Sequence, residues 1–228
     1  MPGKVIFIVL GERAMLKNYL KKVGFRRIII MITGNIVLGL GIAIFKLSGL
    51  GNDPFSGMVM ALADVTGIVY ANFLILFNLG LFVIQFLTGR EFIGAGTIIN
   101  ACFLGYFVTF FYDILVNAVG KPGGLSESII MVCAGVIVCG LGVSMYQTSD
   151  VGIAPFDALS IIMAKRWNKI PYFWHRMATD ATAALVCFLA GGIVGLGTLV
   201  SAFGLGPFVH FFNVHFSEKL VDGKKTRQ

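Results

Sequence analysis

Displacing the sequence against itself by 101 residues superposes its two halves without a gap, and this constrains the fold more than any other feature. Between Gly34–Ala63 and Gly135–Ala164, 11 of 30 positions are identical, among them Gly34, Gly39, Gly41, Ser48, Gly51, Pro54 and Phe55. Between Gly94–Phe111 and Gly195–Phe212, 10 of 18 agree, including Gly94, Gly96, Thr97 and Gly105. Across the intervening positions 64–93 and 165–194 none agree. The chain is a duplicated unit whose two ends stayed alike while its middle diverged.

The units are too apolar for a water-soluble fold. Hydrophobic residues make up 57% of the 228 and charged ones 13%, with a mean hydropathy of +0.88; a soluble domain carries about twice that charge. Eight of the 29 charged residues precede Ile28, and Ile28–Phe45 and Ile93–Thr109 contain none. Such stretches read as bilayer spans. The net charge of +7 does not indicate nucleic acid, because Lys and Arg sit at the ends of apolar segments, where they act as anchors on an anionic lipid leaflet. Val5–Leu10 is too short for a cleavable signal, and Leu16, Tyr19, Leu20 and Val23 share a helical face flanked by Lys17, Lys21 and Lys22. Residues 12–27 are therefore expected along the cytoplasmic interface. Cys102, Cys133, Cys139 and Cys187 fall inside apolar spans without metal-ligand spacing, so no metal and no cofactor is expected.

Each unit reads as a long span, a glycine-rich break, a short segment and two further spans. The short segments, Pro54–Asp64 and Pro155–Ala164, each follow Gly-x-x-Pro-Phe, where proline suits a first helical turn and Gly51 or Gly152 permits a reversal. Eleven residues at about 1.5 Å each cover only roughly half of a 30 Å hydrocarbon core, so these are candidate re-entrant half-helices. The expected spans are 28–46, 70–88, 93–115, 128–147, 171–190 and 194–216. Three spans per unit make the second enter from the opposite side, an inverted 3+3 repeat with both termini cytoplasmic. The rival count makes the short segments full spans and the repeats parallel. Unequal loops favour inversion: Asp64-Val65-Thr66-Gly67 lacks positive charge, whereas Lys165-Arg166-Trp167-Asn168-Lys169 is basic, as the positive-inside rule asks of opposite sides. The expected organisation is a cytoplasmic segment 1–27, three-helix repeats 28–117 and 128–216, and a basic tail 217–228.

Candidate chemistry gathers at the breaks and in the divergent middle. Half-helix N-termini present free N–H groups and the positive dipole end, so Asn52, Ser56 and the turns around Pro54 and Pro155 either face a ligand or simply turn the chain at the surface. Asp157, in a first helical turn, either caps free N–H groups or lines a cavity. His175, Arg176 and Asp180 lie opposite Leu74, Ile75 and Leu79 of the first unit. Arg176 and Asp180 are spaced i,i+4 and can pair; Arg176 could instead snorkel, but Asp180 lies a turn deeper. Thr97 and Asn100, with Thr198 and Ser201 in register, and His210 opposite Thr109, either let helices approach or hydrogen-bond a substrate. No nucleophile elbow, phosphate loop or zinc spacing occurs, which argues against an enzyme.

The Gly-x-x-Pro-Phe breaks, Gly195-Leu196-Gly197-Thr198 with its copy Gly94-Ala95-Gly96-Thr97, and Leu205-Gly206-Pro207-Phe208 together resemble the YczE/YyaS/YitT group of bacterial multi-pass membrane proteins, from about Gly34 to Phe212. In that group the helix-opening proline is often followed by an aromatic residue and Asp, which Pro155-Phe156-Asp157 matches; the first copy departs, with Ser56 in that slot and Asp53 before the proline. The resemblance implies a bacterial inner-membrane location and names no substrate. The resulting expectation is a small-solute transporter or ligand-capturing membrane component, binding a small molecule or ion at the repeat interface, alone or as a homodimer. The alternative is a non-transporting accessory protein that scaffolds a membrane complex.

Overall fold

The computed structural model describes residues 24–222. The interfacial segment expected at 12–27 and the tail at 217–228 lie outside the described residues, apart from 24–27 and 217–222. The described residues are helical, without strands. α1 spans Phe25–Ser48, α2 Pro54–Thr66, α3 Tyr70–Thr88, α4 Ala95–Val119, α5 Leu125–Thr148, α6 Pro155–Arg166, α7 Tyr172–Leu189 and α8 Leu196–Phe212; α8 continues through a π-helical turn, Asn213–Ser217, into α9, Glu218–Asp222. Five helices are long and apolar enough to cross a bilayer: α1, α3, α4, α5 and the run from Leu196 to Val221. The sixth expected span, α7, has 18 residues, and His175, Arg176 and Asp180 make it more polar than these five.

The centre of the molecule is the crossing of α1 and α5, and glycine makes it close. A Cβ on Gly34 would lie 2.6 Å from Tyr146 N, one on Gly41 2.6 Å from Cys139 N, and one on Gly135 3.0 Å from the Phe45 ring. A Cβ on Gly142 would fall on the Leu38 backbone. Partner numbers fall as helix numbers rise, so α1 and α5 run antiparallel. Within each unit the opposite holds: Gly39 faces Phe107 and Gly140 faces Phe208, while Asn35 meets Asn100, so α1 runs parallel to α4. The glycine contacts of the central crossing, and those of Gly39 with Phe107 and Gly140 with Phe208, recur at the 101-residue offset. Gly142→Ala should therefore lower stability by about 1–3 kcal/mol through overpacking, read as a shift in detergent unfolding. Gly80→Ala, on α3 with open space at its Cβ, should instead raise it by about 0.5–1 kcal/mol.

The outer helices leave wide apolar faces uncovered, including Leu76, Val83, Leu87, Phe103, Phe110, Leu199 and Phe211. A row of exposed aliphatic and aromatic side chains on helices of this length is what lipid contact requires. The protein is a helical membrane protein.

Local sequence sets the short helices. Asp53 precedes α2 and accepts the Ser56 N–H at 3.0 Å, Pro54 occupies the first turn, and Gly67 ends the helix at φ +70°. α6 starts at Pro155 without a side-chain cap and closes on Lys165 and Arg166 beside its carbonyl end. Ser48 and Ser149 turn back onto the carbonyls of Phe45 and Tyr146, each at 2.6 Å. Each break is then tied to the other unit: Gly197 N–H donates to Leu50 O at 2.8 Å, and Gly96 N–H to Val151 O at 3.0 Å. α2 packs on α7 and α6 on α3, so each short helix lies against the other unit's middle helix.

Candidate functional site

The starts of the two short helices meet. Phe55 and Phe156, equivalent residues of the repeat, stack with ring centroids 4.3 Å apart, and the Arg176 guanidinium lies over Phe156 at 5.5 Å. Arg176 then joins two helices: its Nη1 donates to Asp157 Oδ1 on α6 at 2.6 Å, and its Nε to Asp180 Oδ2 one turn on along its own helix α7 at 3.0 Å. The hydroxyl of Tyr146, on α5, donates to Asp157 Oδ2, and Gln147 Nε2 approaches the same oxygen at 3.4 Å. Asp157 is thus held from two elements besides its own. Of the two roles open to Asp157, no side-chain cap bond is made at the start of α6, and both carboxylate oxygens go to these donors.

This cluster lies at one edge of a cavity of about 600 Å³. Asp53, Asp157, Asp180 and Arg176 supply its charged side, Gln147, Ser201, His210 and Asn213 further polar groups, and Val143, Phe173, Phe203 and Pro207 an apolar wall. Proline interrupts α8 at this wall, and the π turn follows it; Asn213 there accepts Ser144 Oγ at 2.7 Å and Thr148 Oγ1 at 3.0 Å. Irregular helix at a cavity is where backbone groups become free to serve ligands. Ser201 is buried and donates to Thr198 O at 3.0 Å, whereas His210 is exposed.

The remaining candidates lie elsewhere, each for a physical reason. Thr97 is fully buried and donates to Ile153 O at 2.8 Å, so it fastens the second break to α4. Thr198 sits against Gly51, where a Cβ would come within 2.6 Å of its Oγ1. Asn100 donates to Asn35 Oδ1 at 2.7 Å, a polar link between parallel helices. Asn52 reaches Ile42 O at 3.3 Å and lines a separate cavity of about 420 Å³ with Lys46, Asp64, Tyr70 and Tyr112. Ser56 borders a void of about 50 Å³ that also touches Asp53, Asp157 and Arg176. Gly51 and Gly152 adopt φ of +102° and +122°, and Pro54 and Pro155 begin α2 and α6, so these four shape the breaks. His175 is buried against Trp167, with ring centroids 6.2 Å apart, and does not line the cavity.

The profile of a family of unknown function, DUF6198, matches residues 25–214, from the start of α1 to the end of α8. The chain belongs to this family. A protein of Haemophilus influenzae named only as uncharacterized is 30% identical over 190 residues, covering 82% of this chain and 84% of that one. Two Bacillus subtilis proteins are also similar: the uncharacterized membrane protein YczE, 27% identical over 78% of this chain and 81% of its own, and YyaS, 26% identical over 78% and 88%. The YczE/YyaS resemblance read from the break motifs is thereby shown, and YczE's description agrees with the membrane reading. No solved structure matches the chain.

Two members of the cluster, Tyr146 and Gln147, do not stand out in this DUF6198 sequence. The usable signal was in the repeat: they stand where the first unit has Phe45 and Lys46, so a hydroxyl and an amide appear only in the unit that carries Asp157. Asp53 was visible before Pro54, but its position in the cavity wall required the two short helices to meet.

Proposed function

We propose that the protein is a small-solute transporter of the bacterial inner membrane. Substrate binds in the cavity beside Asp157, Arg176 and Asp180, within an inverted 3+3 repeat whose α2 and α6 are re-entrant. The single observation that carries this reading is the cavity itself: an opening of about 600 Å³ that ends on an ion-paired cluster where the two short-helix starts meet. Ionised side chains at membrane depth are costly, and a substrate or ion pathway is one of the functions for which they are kept. Helix directions support inversion, since α1 and α5 are antiparallel while α1 and α4 are parallel, which three crossings per unit require. Re-entry is supported by the α6 ends. Asp150, before the break, lies 3.7 Å from Arg27, and Lys165, in its last turn, lies 3.1 Å from Glu91, both near the starts of α1 and α4, while Asp157 reaches the centre.

In a cysteine-free background, Cys at exposed Val65 should label from outside and Cys at exposed Asn168 only from the cytoplasm. Labelling of both from one side would replace the inverted arrangement with a parallel one. Native mass spectrometry of the purified protein should show a co-purified solute that is absent from a folded Asp180→Leu variant. An identical mass in both would count against a solute site at Asp180 and move the accessory-protein reading ahead.

A further inference from the structure

The charged lining of the cavity is unbalanced. Three carboxylates, Asp53, Asp157 and Asp180, face one guanidinium, and exposed His210 is the remaining titratable imidazole on the wall. Asp157 uses both oxygens, one on Arg176 and the other on Tyr146 with Gln147 beside it. The other two acids each use one. Asp180 gives Oδ2 to Arg176, and Asp53 gives Oδ1 to the Ser56 N–H; Asp180 Oδ1 and Asp53 Oδ2 are buried without a hydrogen-bond partner. The Asp180 side chain is only 7% exposed, so water from bulk does not satisfy it. A buried carboxylate oxygen without a donor is costly, and an N–H or O–H donor carrying positive charge removes the penalty best.

We infer that the cavity binds a small organic cation through an ammonium group held by Asp180 and Asp53, a substrate class that rests on the transporter reading above. Cluster and wall together decide the class. An anion would meet three carboxylates and a guanidinium already engaged by two of them. A bare metal ion needs a shell of several oxygens at fixed distance, whereas an ammonium brings its own N–H donors to oxygens that lack them. The acids share the cavity with Val143, Phe173, Phe203 and Pro207, which offer apolar surface to a carbon body; Phe173 and Phe203 are themselves 55% and 61% exposed and border its mouth. Asp157 is the acid that does not take part, because Arg176 and Tyr146 already hold it; its task is to keep Arg176 drawn toward α6, leaving Asp180 half-neutralised.

The test is a thermal-shift titration of the full chain in detergent with n-butylammonium, benzylammonium and putrescine chlorides, against sodium butyrate, sodium chloride and potassium chloride at matched ionic strength. At least one amine should give a saturable rise in melting temperature that butyrate and the inorganic salts do not. Asp180→Asn and Asp53→Asn should each weaken it by about tenfold or more. If either variant fails to fold, Ala202→Trp, which fills the cavity wall without touching the acids, should abolish the same shift. A shift with butyrate alone, a carboxylate-dependent shift with sodium or potassium below the amine range, or an amine shift unchanged by both aspartate variants would overturn the proposal, as would none with any amine. Two-sided labelling of a cysteine at Ala202 reads the transporter premise separately: kept without amine binding, it leaves transport standing and the substrate class wrong.

Discussion

Arg176→Ala should unfold or strongly destabilise the protein, by about 3–5 kcal/mol, the usual consequence of removing one partner from a buried ion pair. The magnitude follows from position, not from the strength of any one contact. Arg176 faces Asp157 at 2.6 Å and Asp180 at 3.0 Å, and these side chains are only 15% and 7% exposed. Without the guanidinium, two largely buried carboxylates remain uncompensated, and only Asp157 keeps donors, from Tyr146 and Gln147. Arg176→Lys should recover part of the loss and no more, because a single ammonium cannot reproduce the fork that reaches α6 and α7 together. Adding Asp180→Asn to Arg176→Ala should restore stability toward the parent by removing the uncompensated charge. Denaturant unfolding in detergent checks all three, and additive losses in the double variant would show that Arg176 and Asp180 do not act as a pair.

Gly152→Val is expected to be comparably severe for a different reason. The residue sits at φ +122°, a region that a β-branched side chain does not adopt, and a Cβ there would lie 2.6 Å from Gly94 N and 2.8 Å from Thr97 Oγ1. Backbone strain and overpacking each cost about 1–3 kcal/mol. Gly51→Val repeats the problem at φ +102° against Thr198. The loss therefore falls on the fold before it falls on a ligand, because the break is clamped between units rather than free to tilt. Thermal unfolding of both variants, with Gly80→Ala as a control that is not under strain, measures it.

What could be read from the sequence follows from what is local. The short helices expected at Pro54–Asp64 and Pro155–Ala164 run on to Thr66 and Arg166, because the stop at Gly67 and the basic last turn of α6 lie just beyond. The Arg176–Asp180 pair was legible because i,i+4 spacing fixes it on any helix. Asp157 was legible as a candidate for the same site, but its ion pair with Arg176 was not, because it lies 19 residues away on a different helix and only the meeting of α6 with α7 joins them. Gly34, Gly41, Gly135 and Gly142 stood out in the repeat, yet a glycine stripe states only that something comes close. It does not state that the partner is the equivalent helix running the other way. Thr97 and Thr198 illustrate the converse, since a conspicuous polar residue beside glycines turned out to hold a break in place.

Whether the cavity serves solute passage is tested most directly by side-specific labelling of a cysteine at Ala202. Ala202 borders the cavity without belonging to the charged cluster. In inside-out and right-side-out vesicles carrying a background with Cys102, Cys133, Cys139 and Cys187 replaced by alanine, an impermeant maleimide should reach it from either side, as a site exposed alternately to both faces requires. Labelling from one side alone, unchanged by prolonged incubation, would contradict transport and leave the cavity as the pocket of a one-sided membrane component.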